Sequence, residues 1–583
     1  MQGRRGVEWA RAAAALLPVA LVTGMVGAAA PAFGAPQGAA SPATARVIVT
    51  MPPGQVASGS TDDAIATPAA ATATAATPGG GVHGAVASIA TVTGDVPLVG
   101  GVVAQVTPAQ QAQLQARGLV VTPDEDVHVA GTAGGPTGRA PAAVVPRTTG
   151  ATALWAKGND GTGVNVAVLD TGIDRLPDFG NRLVAGVDLS GEGNPFNDGY
   201  GHGTFVAGLI AGNGASSHGF YTGEAPGAGL VSVKVAGASG VTDLATVIDG
   251  IDWVVAHRVV YGIKVLNLSL GAAPLESTVL NPLDQAVEAA WQAGVVVVAS
   301  AGNAGPFNGT ILTPGDDPLV ITVGALDDLG SATARPVMTT FSSVGPTSPD
   351  GWIKPDLVTS GRSVVSLRAP GSTVDVGNPQ ARIGTGNFVG SGTSFSAAIT
   401  SGAAALVLAA HAGTPDDVKA RLLGAAAPGP VGNPFVDGHG ALDVALAAAQ
   451  TSLRLSQPAP NAATAQGHTV PLSRTWRLST WDPAAWAGST WRGRPPAPGT
   501  VSWGPRLPGA PARGAGPQGS SWNGSSWNGS SWNGSSWNGS SWNGSSWNGS
   551  SWSGSSWSGS SWNGSSWNGS SWNGSSWNGS SWN

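Results

Sequence analysis

Between about residue 140 and residue 450, short apolar runs alternate with stretches of helical periodicity, and few folds accommodate that order. The runs at 164–169, 230–235, 265–268, 295–299 and 319–323 are almost continuously apolar, the pattern of strands buried on both faces. Helical stretches are expected at 203–211, 243–258, 282–293 and 396–410, with closing helices at 414–426 and 441–449. Strands that alternate with helices form a parallel sheet covered on both sides. The expected fold class is therefore α/β, a doubly wound, mostly parallel sheet with helices on both faces. At about 310 residues the block can bury one large core.

The flanks of this block read differently. Residues 1–35 combine Arg4, Arg5 and Arg11 with an apolar run at 12–30 and small residues around Ala32 and Ala35, a signal-peptide pattern for which an uncleaved membrane anchor is the alternative. Residues 36–139 hold a small α+β unit with a low-complexity insert near 58–81. Its strands are expected at 46–51, 99–106 and 119–121. Its helix is capped by Thr107, starts on Pro108 and ends at Gly118. Residues 451–518 form a Pro/Arg/Trp-rich linker. The last segment, 519–583, is thirteen five-residue units, eleven GSSWN and two GSSWS, without a charge. It holds 13 of the 23 tryptophans. Its Gly and Ser content predicts a flexible chain outside any packed core.

Charge and cysteine content narrow the function. A net charge of −6 lacks the basic excess that phosphate neutralisation requires, so no nucleic-acid partner is expected. With no cysteine, disulfides, thiolate zinc sites and a Cys nucleophile are all excluded.

Four segments in the α/β block carry chemistry. VLDTG places Asp170 at a strand end, GHGTFVAGLIAG places His202 at a helix start, SAGN places Asn303 after a strand, and SGTSFSAA places Ser394 at the opening of an Ala-rich helix. Each has an ordinary reading alone: a strand-end turn, a helix cap, a turn former and an N-cap. Together they supply an orienting carboxylate, a base, an oxyanion donor and a nucleophile. In the order Asp, His, Asn, Ser the segments resemble the subtilisin (subtilase) family of serine peptidases, with further matches in VLNLSLG, FSSVGPT, IKPDLV and GHGALD. The resemblance covers roughly residues 140–450. The α+β unit before it resembles the inhibitory propeptide of that family.

The resemblance implies a serine endopeptidase with catalytic Asp170, His202 and Ser394 and with Asn303 in the oxyanion hole. It also implies a substrate edge of Ser269, Leu270 and Gly271, and a facing wall of Ser300, Ala301 and Gly302. Leu312 is expected to close the floor of that pocket, giving an apolar preference before the scissile bond. Phe205 and Ala398 depart from the usual family residues and are read as packing variants. The chemistry requires no cofactor and no catalytic metal. Structural Ca²⁺ is an option, with oxygen donors on Asp188, Glu192, Asn197 and Asp198 in one loop, although their spacing matches no defined loop. The expected partners are protein and peptide substrates and the chain's own propeptide as an intramolecular inhibitor, the enzyme being a monomer. The setting is extracellular, with the tail binding cell wall or polysaccharide. The competing readings are a surface- or matrix-associated binding protein whose tail is the main module, and an inactive peptidase fold.

Overall fold

The computed structural model describes residues 44–52, 81–129, 131–133 and 144–450, together with strand backbone at 462–463, at 469–470 and in segments between 518 and 582. The expected signal peptide and most of the linker lie outside the described residues.

The N-terminal unit contains β1 (Ala45–Thr50), α1 (Gly81–Ala87), β2 (Thr91–Val96), β3 (Gly101–Val106), α2 (Pro108–Ala116) and β4 (Val120–Pro123). Its sheet is antiparallel in the order β2-β3-β1-β4. Alternation along β1 decides what each face does. Val47 and Val49 join Val102, Ala104, Val106 and Leu114 in a small separate core, whereas Ile48 faces the main core together with Val96 and Val103. Helix α2 opens as expected on Thr107, which forms a capping box with Gln110. Helix α1 and strand β2 were not anticipated. They follow the low-complexity tract, and β2 (TVTGDV) is largely exposed, so neither carries a strong apolar period.

The main sheet is built from β7 (Asn165–Asp170), β8 (Leu183–Asp188), β9 (Gly229–Lys234), β11 (Ile263–Leu268), β13 (Val296–Ser300), β14 (Ile321–Asp327), β15 (Val337–Met338) and β16 (Leu357–Ser360). Its order is β15-β14-β13-β11-β7-β9-β8, with β16 also on β14. All its pairs are parallel except β14–β15. The five strands expected from the apolar runs are all present. Strand β8 escaped sequence reading because it is a half-exposed edge interrupted by Gly186, and β16 because it spans only four residues. Helices α3 (His202–Ala211), α4 (Leu244–His257), α5 (Pro282–Gln292), α6 (Thr393–Ala410), α7 (Pro415–Ala425) and α8 (Val444–Ala449) complete the layers. Thr414 caps α7 through a capping box with Asp417. Among the described residues α6 alone is long and apolar enough to cross a membrane. It is mostly buried within the protein, as a core helix is.

The N-terminal unit docks on α4. Asp124 accepts from the backbone N–H of Ala245 at 3.0 Å, and the Glu125 carbonyl accepts from that of Leu244 at 3.1 Å. Two of the unsatisfied donors at that helix start are thereby met from the neighbouring unit. Arg46 pairs with both Asp124 (3.0 Å) and Asp243 (2.6 Å), the residue that caps α4.

The repeat tail carries parallel strand backbone. Trp522 pairs with Trp537, Trp537 with Trp552 and Trp542 with Trp557, an offset of 15 residues (537 − 522), or three repeat units. A nearly exact repeat lets strands meet the same residue types in register, apart from Asn538 opposite Ser553 and Asn543 opposite Ser558, so backbone donors and acceptors find partners without a side-chain code.

Candidate active site

Asp170 ends β7 and His202 opens α3, which the parallel sheet brings to the same edge. Both are almost fully buried. The His202 Nδ1 lies 2.9 Å from each carboxylate oxygen of Asp170. A carboxylate only accepts, so Nδ1 carries the proton and Nε2 is left as the basic nitrogen. Asp170 Oδ1 also accepts from the backbone N–H of Thr171 at 2.8 Å. The start of α3 is fixed by Asp198, which accepts from Gly201 N and Thr204 N at 2.7 Å each, and by Thr171 Oγ1, which accepts from Gly203 N at 2.9 Å and donates to Asp198 at 2.7 Å. Burial pushes the Asp198 carboxyl up, against these hydrogen bonds. Gly203 is required here: a Cβ would stand 2.2 Å from the Gly172 carbonyl oxygen, so any side chain would drive the helix from the strand end.

Ser394 lies in the first turn of α6, not at its cap. The helix begins at Thr393, three residues before the start expected from sequence, and the cap position is Gly392. The Ser394 hydroxyl donates to the Ser269 carbonyl at 2.9 Å, while Ser269 Oγ donates back to the Ser394 carbonyl at 2.8 Å. Asn267 donates to Ser269 Oγ at 2.9 Å and accepts from Ser401 Oγ at 2.9 Å. This buried polar chain ties β11 to α6. Sequence reading assigned no role to Asn267 or Ser401, although a polar residue inside the apolar run VLNLSL was a signal. Asn303 Oδ1 accepts from Thr393 N at 2.9 Å and Thr393 Oγ1 at 3.0 Å, which fixes the orientation of its amide. Phe205 packs on Phe395 with centroids 4.4 Å apart, and Phe395 lies 5.6 Å from the His202 ring.

The cleft beside these residues is occupied by the chain itself. Strand β5 (Asp126–Val129) lies between β10 (Val241–Asp243) and β12 (Leu270–Gly271), antiparallel to both: Val129 pairs with Leu270, and His128 with Gly271 and Val241. Val127 is buried in the main core, a contact of roughly 1.5–3 kcal/mol for a side chain of this size. Three residues beyond Val129, β6 (Thr132–Ala133) pairs with β17 (Asn387–Ser391). Gly131 passes directly under the imidazole: a Cβ there would stand 2.9 Å from His202 Nε2 and 2.9 Å from Phe395 Cζ. Nε2 is buried without a hydrogen-bond partner.

Leu270 and Gly271 thus form one edge of the cleft, while Ser269 is bonded to Ser394. Ser300 closes β13, the Ala301 N–H donates to the Val323 carbonyl at 3.0 Å, and Gly302 lies against Leu312, which together with Asn303 and Ala304 faces Gly271 across the cleft. The loop suggested for Ca²⁺ does not fit an ion. Asp188 accepts from Ser190 and Asn194, Glu192 from Lys234 and Ala238, and Asp198 from the start of α3, while the Asn197 carbonyl accepts from Lys234. Its donors are spent on the protein, and among the described residues no group of three or more acidic or histidine side chains is arranged to hold a metal.

A family model described as the subtilase family matches residues 161–452. Serine protease AprX of Bacillus subtilis strain 168 is 40% identical over 266 residues, covering 44% of this chain and 60% of that protein. Subtilisin E of the same strain is 35% identical over 302 residues, covering 51% and 69%. The subtilisin of Bacillus pumilus is 35% identical over 302 residues, 51% of this chain and 95% of the relative. With the family model spanning half of the chain and the subtilisins matched over most of their length, this chain belongs to the subtilase family of serine peptidases.

Proposed function

We propose that the chain is a secreted endopeptidase, made as a zymogen, that hydrolyses extracellular proteins through Asp170, His202 and Ser394. The observation that carries this reading is the backbone of Gly131 held against the unpartnered Nε2 of a histidine whose Nδ1 is bonded to a buried carboxylate. Rotation of the Ser394 hydroxyl from the Ser269 carbonyl toward Nε2 prepares attack on a peptide carbonyl. The Oγ–C bond forms as Nε2 takes the hydroxyl proton, and Asp170 stabilises the imidazolium without being protonated. Collapse of the tetrahedral intermediate breaks the C–N bond, and the same proton passes to the leaving amine. Water then hydrolyses the acyl-Ser394 ester by the reverse sequence. Asn303 donates to the oxyanion in both halves.

On this reading residues 44–130 are an inhibitory propeptide whose last strand is bound as a substrate would be, and the first bond cut is the one entering Gly131. Edge pairing of this kind uses backbone hydrogen bonds and makes few sequence demands. The active enzyme is expected to begin at Gly131 in N-terminal sequencing of the first processed product and to hydrolyse casein. An active product that retains residues 44–130 would remove the propeptide assignment.

For the tail we propose retention on cell wall or insoluble polysaccharide. What supports it is repetition: like units recur at neighbouring strand positions, so weak contacts multiply. A chain ending at Ala515 should lose retention on wall material while keeping casein hydrolysis unchanged. Equal retention of the shortened chain would end this reading.

A further inference from the structure

The sheet of the repeat tail has an edge that its own chain leaves open. Its strands are β18 (Gln518–Asn523), β19 (Ser526–Asn528), β20 (Ser531–Asn538), β21 (Ser541–Asn543) and β22 (Ser546–Trp582), in the order β18-β20-β22-β21-β19. Each pairing between them is parallel and joins residues 15 apart, Trp522 to Trp537, Trp527 to Trp542, Trp532 to Trp547 and Trp542 to Trp557. The chain thus lays one turn of three units on the turn before, a quasi-one-dimensional stack. A stack of parallel turns has two ends however many turns it contains. At the first turn, β18 and β19 each have one neighbour among the described strands, β20 and β21. The backbone N–H and C=O groups on their outer side are a template for a further strand.

We propose that a second copy of this chain occupies that edge, the two tails stacking end to end in register. The repeat selects the occupant: a turn from another copy offers the residue types that a further internal turn would offer, so the contact between copies reproduces the contact within one. Natural sheet edges are guarded by Pro, Lys or other charges, and residues 519–583 contain no Pro and no charged residue. Repeat stacks also end on atypical capping units, whereas the first unit here, 519–523, is the same GSSWN as those inside. The first-turn edge of one copy meets the opposite edge of the next copy's stack, so the contact is head-to-tail and does not close. The product is a ladder of oligomers that strings peptidase domains along one stack. Neither substrate nor wall material takes part, so the proposal stands apart from the peptidase and retention readings.

The test is sedimentation velocity on the purified full chain, carrying Ser394→Ala so that self-digestion cannot shorten the tail, beside the same chain ending at Ala515. Over a roughly hundredfold range of concentration the full chain is expected to pass from monomer to species larger than a dimer. The chain ending at Ala515 should keep one sedimentation coefficient throughout. A third chain, ending at Asn568, is one turn shorter. Its association midpoint should stay within about threefold of the full chain's, because stacking terms act only between adjacent turns and only end turns meet. A full chain that remains monomeric overturns the proposal, as does a series that stops at a closed dimer. Equal association without the tail places the contact elsewhere and overturns it too. A midpoint weakened by about tenfold or more in the chain ending at Asn568 ties association to the number of units, and edge stacking falls.

Discussion

Replacing Ser394 with alanine is expected to abolish casein hydrolysis and to leave the secreted chain uncut before Gly131. The loss should be on the order of 10⁶-fold in kcat, a magnitude taken from the triad of subtilisin itself rather than from this geometry. The proposed mechanism expects both effects from one atom. In the proposed mechanism Ser394 Oγ is the nucleophile for added substrate and for the strand that crosses the cleft, so the variant is expected to lose processing and turnover together. Stability should change little. The hydroxyl makes a buried bond to the Ser269 carbonyl, worth about 0.5–1.5 kcal/mol net, and alanine is the best helix former. Intact-mass analysis separates the outcomes. A Ser394→Ala chain that is still cut before Gly131, with no other peptidase in the preparation, places the nucleophile elsewhere.

The second large effect is expected at Asn303. Its amide oxygen is committed to Thr393, through the backbone N–H and the hydroxyl, so its orientation is set by the helix that carries Ser394. A donor fixed before reaction stabilises a developing oxyanion without reorganising. Asn303→Ala should lower kcat by roughly 10²- to 10³-fold, about 2.7–4 kcal/mol, again the magnitude known for subtilisin's own donor. KM should stay within about threefold, because the donor acts on the transition state more than on the bound substrate. Steady-state kinetics on one peptide give both numbers. A variant with unchanged kcat and a strongly raised KM would show that Asn303 binds ground-state substrate instead.

These two expectations draw on different depths of information. That Asp170, His202, Asn303 and Ser394 are candidates for one site is an expectation from four short segments, of which the structure joins Asp170 to His202 and Asn303 to Thr393, the neighbour of Ser394. How they are held could not be read from those segments. Ser394 looks like a helix cap in sequence because Ser is common there, yet Gly392 takes the cap and Ser394 enters the first turn, facing Ser269. The chain Ser401–Asn267–Ser269 links α6 to β11 across 134 residues. No local pattern announces a partner that far away. The loop around Asp188 and Asp198 shows the converse. Its oxygens look free in sequence and suited to an ion, but the folded loop turns them onto its own backbone and onto Lys234, as short Asp and Asn side chains commonly do in turns.

The central strands were readable because a strand buried on both faces must be apolar along its whole length, and β7, β9, β11 and β13 are nearly so. Edge strand β8 and the short β16 lack that constraint. By itself, then, the sequence determined the α/β class, the order of its central elements and the identity of the four residues at the strand and helix ends. The resemblance implied that the chain's own propeptide acts as an inhibitor; only the tertiary structure set the register, with β5 between β10 and β12 and Gly131 against His202, and placed Leu312 between Gly271 and Gly302. The division has a physical cause: hydrophobic periodicity and capping act within a few residues, whereas a cleft is made by backbone segments far apart in sequence, whose approach is set only when the core is packed.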